Sequence, residues 1–595
     1  MKRVSDKIAD ILSSNGIKDV FMVTGGGSMH LNDALSRNKK LNVINMHHEQ
    51  ACTMAAEGYA KLSGRPACVN VTTGPGGINA INGVYGAWTD SVPMIIISGQ
   101  VKKETLNSKS SKLRQLGDQE NDIISMVKKI TKFSYQLRNQ DYLDDVVSYA
   151  ISLATSGRPG PVWIDVPMDI QGAIYNSSKQ KKFKNLTQYK SSKVSIEDLK
   201  FVLNKIKTSK KPAIIVGGGI RASNSHDEFL KFVKKSDIPV LTAWNAHDVI
   251  EDSHKNYVGR PGTIGDRAGN FITETCDLLI ILGSRLNIRQ IGYNFKSFSP
   301  NSYKIMVDVD LEELNKKTLK IDKKLNYDLK DFLTELNKIS TSLKNKNHQE
   351  YLNWSKRLAK QFPVFNDKFA KSKLINPYYF GEVLFNVLKK DDIVITSDGT
   401  AVVTTFQVAK LKKGQRLFSN SGSASMGYGL PAAIGASFSF KKPNIVCIEG
   451  DGSLQMNIQE LATVSHHKLP IKIFVFSNDG YHSIRQTQSK YFPDNVIGCG
   501  VDSGLTFPDL KFIAKAYGIE YFKITDSKNL KDIISKILSK KNAIICDVVL
   551  DKSQEFEPKA SSKLNPDGKM KSAPLFDMYP FLPEEEIKNI LESKN

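Results

Sequence analysis

The chain has 595 residues, 40% hydrophobic and 24% charged, and its 83 basic against 61 acidic side chains give a formal net charge of +22. That length suits about three to four domains; no run reaches the roughly 18 apolar residues that span a bilayer, the polar start Met1-Lys2-Arg3 carries no signal core, and six scattered cysteines without a Cys-x-x-Cys pair fit reduced thiols in a cytoplasm. The lysines fall in short dispersed pairs such as Lys128-Lys129 and Lys540-Lys541, with no zinc-finger spacing and no long basic tail, which argues against nucleic acid and for a solvated basic surface able to gather anionic substrates.

In chain order, short apolar runs alternate with glycine-rich turns and helical stretches. The first third predicts strands at Val20–Val23, Val43-Ile44, Ala67–Val71 and Met94–Ser98, with a helix opening within His47-His48-Glu49-Gln50-Ala51. The middle predicts strands at Ala213–Val216, Leu278–Leu282 and Lys304–Val307. The last third predicts them at Ile393–Ile395, Ile445–Ile448, Ile471–Phe476 and Ala543–Cys546. Runs apolar on both faces, alternating with helices, predict parallel sheets covered on both sides. The expected fold is α/β, three doubly wound parallel-sheet domains at residues 1–175, 190–345 and 372–552. The Lys-, Ser- and Asn-rich stretch 172–194 reads as a linker, a charged stretch near 340–372 as the second boundary, and 553–595 as a tail that covers a site or packs on a neighbour.

The strongest chemical signal is Glu449-Gly450-Asp451-Gly452-Ser453, directly after a buried strand. A carboxylate at a strand's C-terminal end, in a glycine turn that opens a helix, is placed to hold a hard cation, and the backbone N–H groups there can meet a phosphate. The next strand stops at Ser477-Asn478-Asp479-Gly480. Adjacent parallel strands bring Asp451 and Asn478 to one sheet edge, where they and a backbone carbonyl near Gly480 form an oxygen set for Mg²⁺ on a diphosphate. Gly-Asp-Gly alone is a common turn; the spacing to Asn478 is what points to a ligand site.

This arrangement resembles the cofactor motif of thiamine diphosphate (ThDP) enzymes. The resemblance covers nearly the whole chain and is closest to the acetohydroxyacid (acetolactate) synthases. It rests also on Thr72-Thr73-Gly74-Pro75-Gly76, Gly157-Arg158-Pro159-Gly160-Pro161-Val162 and Ser425-Met426-Gly427-Tyr428-Gly429. It implies that Glu49 stands against N1′ of the aminopyrimidine, where burial would raise a carboxyl's pKa and proton sharing would promote loss of the thiazolium C2 proton. It places Gly25, Gly26, Pro75, Asn79 and Gln119 on the pyrimidine and substrate side, with Gln119 among the catalytic groups. Met426 would hold the cofactor bent. Thr400, Ala424, Gly452, Ser453, Tyr481 and His482 also fall on the cofactor. In the central domain Val216-Gly217-Gly218-Gly219 lacks the full dinucleotide pattern, yet the domain is similar to the synthases' flavin-binding domain. Gly218, Arg285, Arg289 and Asp308 would then meet FAD, although many relatives keep this fold with no ligand or with another nucleotide. In this family the pyrimidine and diphosphate halves of a site come from different subunits, so a homodimer or homotetramer is implied.

The sequence departs from the synthases at the acceptor side. Thr487 stands where they carry a tryptophan and Asp118 where they carry a phenylalanine; on the phosphate side, separately, Asp398-Gly399-Thr400-Ala401 replaces a Gln-His turn. Thr487 and Asp118, with Gln119, Ser483 and Arg485, predict a roomier, more polar acceptor pocket, since discrimination for an added methylene needs close apolar contact. The expected activity is a ThDP- and Mg²⁺-dependent carboligase that decarboxylates a 2-keto acid, pyruvate first among candidates, and joins the acyl unit to a polar carbonyl acceptor such as a keto-sugar. Alternatives are acetolactate formation from two pyruvates, decarboxylation without ligation, and a catalytically silent regulatory homologue.

Overall fold

A computed structural model describes residues 1–107, 111–183, 189–439, 444–564 and 570–592. Eighteen strands form three six-stranded parallel sheets flanked by helices. The N-terminal sheet holds β1 (Asp19–Met22), β2 (Asn42–Asn45), β3 (Ala67–Val71), β4 (Met94–Gln100), β5 (Phe133–Gln136) and β6 (Pro161–Pro167). The central sheet holds β7 (Pro212–Val216), β8 (Val240–Thr242), β9 (Tyr257–Gly259), β10 (Leu278–Leu282), β11 (Tyr303–Asp308) and β12 (Lys323–Asn326). The C-terminal sheet holds β13 (Ile393–Thr396), β14 (Arg416–Phe418), β15 (Ile445–Gly450), β16 (Lys472–Ser477), β17 (Glu520–Ile524) and β18 (Ile544–Val549). The expected strands all form, because β3, β4, β7, β10 and β13 are buried at every position and no other element takes a continuous β-branched run so well. The strands that the pattern did not announce are mainly short or half-polar: Phe133–Gln136 and Glu520–Ile524 sit on sheet edges, and most of their residues are only half buried.

The strand orders decide where ligands can enter. The first sheet runs β2-β1-β3-β4-β6-β5 and the third β14-β13-β15-β16-β18-β17, which is one topology used twice. The central sheet runs β12-β11-β10-β7-β8-β9. In an open parallel sheet, loops diverge at the point where strand order reverses and leave a crevice outside the strands' C-terminal ends. Those points lie between β1 and β3, between β13 and β15, and between β7 and β10. The Gly25–Gly27 loop and the Thr72–Pro75 turn border the first. Asp398–Thr400 and Asp451–Ser453 border the second, and Gly217–Gly219 and Gly283–Asn287 the third.

The N- and C-terminal domains are joined through two buried helices, Glu49–Ser63 and Gly429–Ser439. Their backbones touch: a Cβ on Gly58 would lie 2.3 Å from the Ala432 carbonyl oxygen, and one on Gly435 only 1.8 Å from that of Ala55. One apolar core runs through both domains, from Phe21 and Met54 to Ile434 and Val475. The helix Lys346–Gln361 packs Tyr351, Leu352 and Leu358 into the core of the central sheet with Phe271 and Ile272, so that unit extends past residue 345. The tail returns to the same core through Leu582, Ile587 and Ile590. Among the described residues no helix is long and apolar enough to cross a membrane.

Candidate active site

Asp451 opens a single helical turn at the end of β15, and Gly450 pairs with Phe476 of β16, so Asp451 and Asn478 leave the sheet side by side. Asp451 Oδ1 accepts from the backbone N–H of Gly452 at 2.8 Å and of Gly480 at 3.1 Å. Its Oδ2 accepts from the N–H of Asn478 and of Gly480, both at 3.0 Å. Burial outweighs these bonds and pushes the carboxyl up to about 6. Gly480 has φ +105°, and a Cβ there would fall 2.3 Å from the Cys499 carbonyl oxygen, so only glycine closes this turn. One carboxylate, the Asn478 amide and the Gly480 carbonyl make a set of hard oxygens that fits Mg²⁺. The described residues contain no cluster of three or more His, Cys, Asp or Glu that could hold a metal.

Behind this edge lies a buried network that sequence reasoning left without a role. Glu449 is fully buried; its Oε1 accepts from Leu430 N–H at 2.9 Å and its Oε2 from the Ser453 hydroxyl at 2.8 Å. Ser453 Oγ is 2.5 Å from Ser397 Oγ and accepts from Gly427 N–H at 2.8 Å. Glu449 thereby ties the turn after Met426 to the Asp451–Leu454 turn, and burial pushes its own carboxyl up to about 7. A carboxylate two residues before Asp451 was the available signal.

On the N-terminal side, His48 caps the helix that Glu49 begins, its Nδ1 accepting from Gln50 N–H at 3.1 Å. Glu49 is buried and accepts from Asn79 Nδ2 at 3.1 Å, so the two expected pyrimidine-side residues do meet. Gly27 N–H donates to Thr72 Oγ1 at 3.1 Å, drawing the Gly25–Gly27 loop onto the Thr72–Pro75 turn. Thr73 Oγ1 lies 3.3 Å from the Gln119 carbonyl, and Gln119 itself adopts φ +64°. Gln100 fixes this loop, reaching the Asn121 carbonyl at 2.9 Å and Asp165 at 3.2 Å. Asp165 also accepts from Ser98 at 2.6 Å and Gln136 at 3.0 Å, and burial lifts it to about 6. The Pro161–Pro167 signature therefore acts through Asp165 as a brace under the pocket loop.

The acceptor-side residues separate on inspection. Asp118, Gln119 and Thr487 are exposed, and Ser483 is half-buried. Thr487 donates its hydroxyl proton to the Ser483 carbonyl at 3.0 Å, so it offers space rather than a free donor. Arg485, expected in the acceptor pocket, instead donates to the carbonyls of Asn478 at 2.5 Å and Asp479 at 3.1 Å. Thr400 is buried, Met426 half-buried, and Ala424 adopts φ +53°. Tyr481 sets its ring edge-on to Phe507. His482 is buried and binds the Gln554 carbonyl at 3.1 Å through Nε2, which brings the tail beside the helix His482–Tyr491.

At the central switch point a cavity of about 320 Å³ is lined by Gly218, Arg285 and Asp308, with Arg158 from the first domain and Arg416 from the third. Burial lifts Asp308 to about 6. Arg158 is held by Asp310 at 2.8 Å and Glu313 at 2.9 Å, Arg416 and Arg221 by Asp248 at 2.5 and 3.5 Å, and Lys61 by Glu57 and Asp90, each at 2.7 Å; among the described residues Arg285 is the lining cation without an ion pair. Arg289, expected beside it, is exposed outside the lining, because the single turn Ile288–Ile291 carries it towards Asp398 of the third domain, whose carboxyl burial raises against the opposing pull of the Gly399 N–H and Arg289.

Three family models match in the order of these domains: the thiamine pyrophosphate enzyme N-terminal TPP binding domain at residues 2–126, the central domain at 199–336 and the C-terminal TPP binding domain at 398–548. The chain is 31% identical over 565 residues to an acetolactate synthase large subunit of Lactococcus lactis, covering 95% of each chain. The chain belongs to this family. It is an acetolactate synthase-like thiamine diphosphate enzyme, a catalyst of C–C bond formation. Two further relatives of this synthase-like group are acetolactate synthase isozyme 1 large subunit of Escherichia coli, 30% identical over 93% of this chain and 94% of its own, and acetolactate synthase 3 of Brassica napus, 31% identical over 94% and 85%.

Proposed function

We propose that this enzyme is a Mg²⁺-dependent carboligase that decarboxylates a 2-keto acid, pyruvate first, and joins the acyl unit to a polar carbonyl acceptor such as a keto-sugar. The carrying observation is the pairing of two half-sites, Glu49 on Asn79 and Asp451 beside Asn478, each at the crevice its sheet topology creates. Thiamine diphosphate, when bound, would supply a carbon nucleophile and an electron sink for decarboxylating the keto acid. Glu49 would share a proton with the pyrimidine ring, Met426 would pack against the cofactor, and Asp451, Asn478 and the Gly480 carbonyl would hold Mg²⁺ with its diphosphate. Asn79 keeps the Glu49 carboxyl aimed. Thr487 in place of an aromatic wall leaves room for the larger acceptor. The names of the relatives favour a second reading, acetolactate from two pyruvates.

Completing the site takes a second copy. The helix Pro75–Thr89 carries no charged residue, yet Ile78, Tyr85 and Trp88 line its outer face at 45, 45 and 38% exposure, in one stripe with Asn79 and Asn82. A large uncharged stripe beside Glu49 supports a homodimer whose sites lie between subunits. In the central cavity Arg285 and the Gly218 turn would meet the diphosphate of FAD and Asp308 its ribose; a flavin absorbance in the purified protein checks this.

The deciding experiment incubates the protein with labelled pyruvate, thiamine diphosphate and Mg²⁺, with and without a panel of keto-sugars, and reads products by NMR. A branched sugar is the expected outcome. Acetolactate alone selects the second reading, and no CO₂ release under any condition overturns both.

A further inference from the structure

The turn Asn478–Gly480 is gripped from two sides. Its N–H groups face Asp451, which accepts from Asn478 and Gly480 at 3.0–3.1 Å. Its carbonyls face Arg485, whose Nη2 donates to Asn478 O at 2.5 Å and Nη1 to Asp479 O at 3.1 Å. The turn needs such a clamp, because Asp479 and Gly480 both hold positive φ, +59° and +105°, a region costly for a residue with a Cβ. Arg485 is fixed in turn: Nη2 lies 3.3 Å from His482 Nδ1, and the opposite ring nitrogen, Nε2, meets the Gln554 carbonyl of the tail at 3.1 Å. The Gln486 amide nitrogen lies 2.8 Å from the same His482 Nε2 and donates to the Gln554 carbonyl at 2.8 Å, so the ring, this amide and the tail carbonyl form one cluster.

We infer that Arg485 is a positioning residue for the metal centre, and that the chain Gln554 carbonyl, His482, Arg485 and Asn478–Asp479 makes metal retention depend on how the tail is docked. A guanidinium suits the task because its planar fork reaches two carbonyls at once, which an ammonium cannot do with the same geometry. This gives Arg485 a different job from catching an anionic acceptor. The inference rests on the reading that Asp451 and Asn478 hold a divalent cation with thiamine diphosphate.

The test is Mn²⁺ titration by electron paramagnetic resonance, with thiamine diphosphate present, on the full-length wild type and on Arg485→Ala, Arg485→Lys and His482→Phe. Arg485→Ala should weaken Mn²⁺ affinity about tenfold or more, with Arg485→Lys between it and wild type and His482→Phe weakened several-fold. Added Mg²⁺ should restore turnover in Arg485→Ala without a rise in KM for the keto acid or acceptor. A thermal melt without metal separates this from misfolding, and should a variant fail to fold, Arg485→Lys carries the comparison. Unchanged Mn²⁺ affinity with a raised, salt-sensitive acceptor KM overturns the inference and leaves the cofactor reading intact. Wild type that takes up no Mn²⁺ overturns both.

Discussion

A carboxylate can promote proton loss on a cofactor only when something holds it in place, and Glu49 accepts from the Asn79 amide, Nδ2 at 3.1 Å. Glu49→Gln keeps shape and helix position but removes the shared proton. We expect turnover to fall by about 10²–10⁴-fold, the span of a positioned acid–base group, with the melting temperature little changed; steady-state assay and a thermal melt check both. Thr487 is exposed and bonded to its own helix, so Thr487→Trp should fold. It should cut ligation to a bulky polar acceptor by roughly tenfold or more while CO₂ release from pyruvate persists. Equal loss of both would show that residue 487 does not face the acceptor. At this scale the meeting of Asp451 and Asn478 at one sheet edge was legible in the sequence because each follows the end of a buried strand, whereas Glu49 was singled out only by the family resemblance. The orientations of Arg485 and Arg289 were not legible, since spacing along a chain says nothing about which neighbour a long side chain reaches.

Short elements carry the support for these residues. The β6 strand looks like a plain buried run, yet it delivers Asp165 to three donors under the Gln119 loop. Its pKa of about 6, against an ordinary 3.8, means the folded protein keeps a proton that the unfolded chain releases near 4. Between about pH 4 and 6 the folded state therefore binds more protons, so stability falls as pH rises through that window, and the cost is fully present above 6. Asp165→Asn removes this titration. The drop in stability from pH 4.5 to 6.5 should be smaller in the variant than in wild type, by on the order of 2 kcal/mol. Coincident profiles would mean that Asp165 stays ionised on its donors. Periodicity exposed the buried central strands but not β5, β12 or β17, whose half-polar faces meet water at sheet edges. The Glu449 network escaped for a related reason: it is assembled from residues 397, 427, 430, 449 and 453, and no local window contains it.

For the whole molecule, the question is which copy completes which site. If sites lie between subunits, Glu49→Gln and Asp451→Ala chains are each inactive alone. Mixed dimers then hold one site with both native residues. Co-expression should restore roughly a quarter of wild-type activity for random pairing in a C₂ dimer. No restoration, with mixed dimers verified by mass, would place both halves on one chain. Tyr85→Lys should shift the protein towards monomers in light scattering. The three-domain layout was readable from alternating strands and helices; the pairing of helices Glu49–Ser63 and Gly429–Ser439 was not, because glycine-to-backbone contact between distant segments leaves only two ordinary-looking glycines in the sequence.

The repeated strand order gives the enzyme a separable inheritance. Loops after β1, β3, β13 and β15 flank the crevices and carry most of the proposed cofactor grip, while Asp118 follows β4 and Thr487 follows β16, one strand further out in each copy of the fold. The proposed metal set bridges an inner and an outer strand, through Asp451 after β15 and Asn478 after β16. Natural drift or laboratory libraries confined to residue 487 and the loop around Asp118, with Tyr481, His482 and Arg485 left in place, would then change which molecules are joined while the inherited chemistry stays.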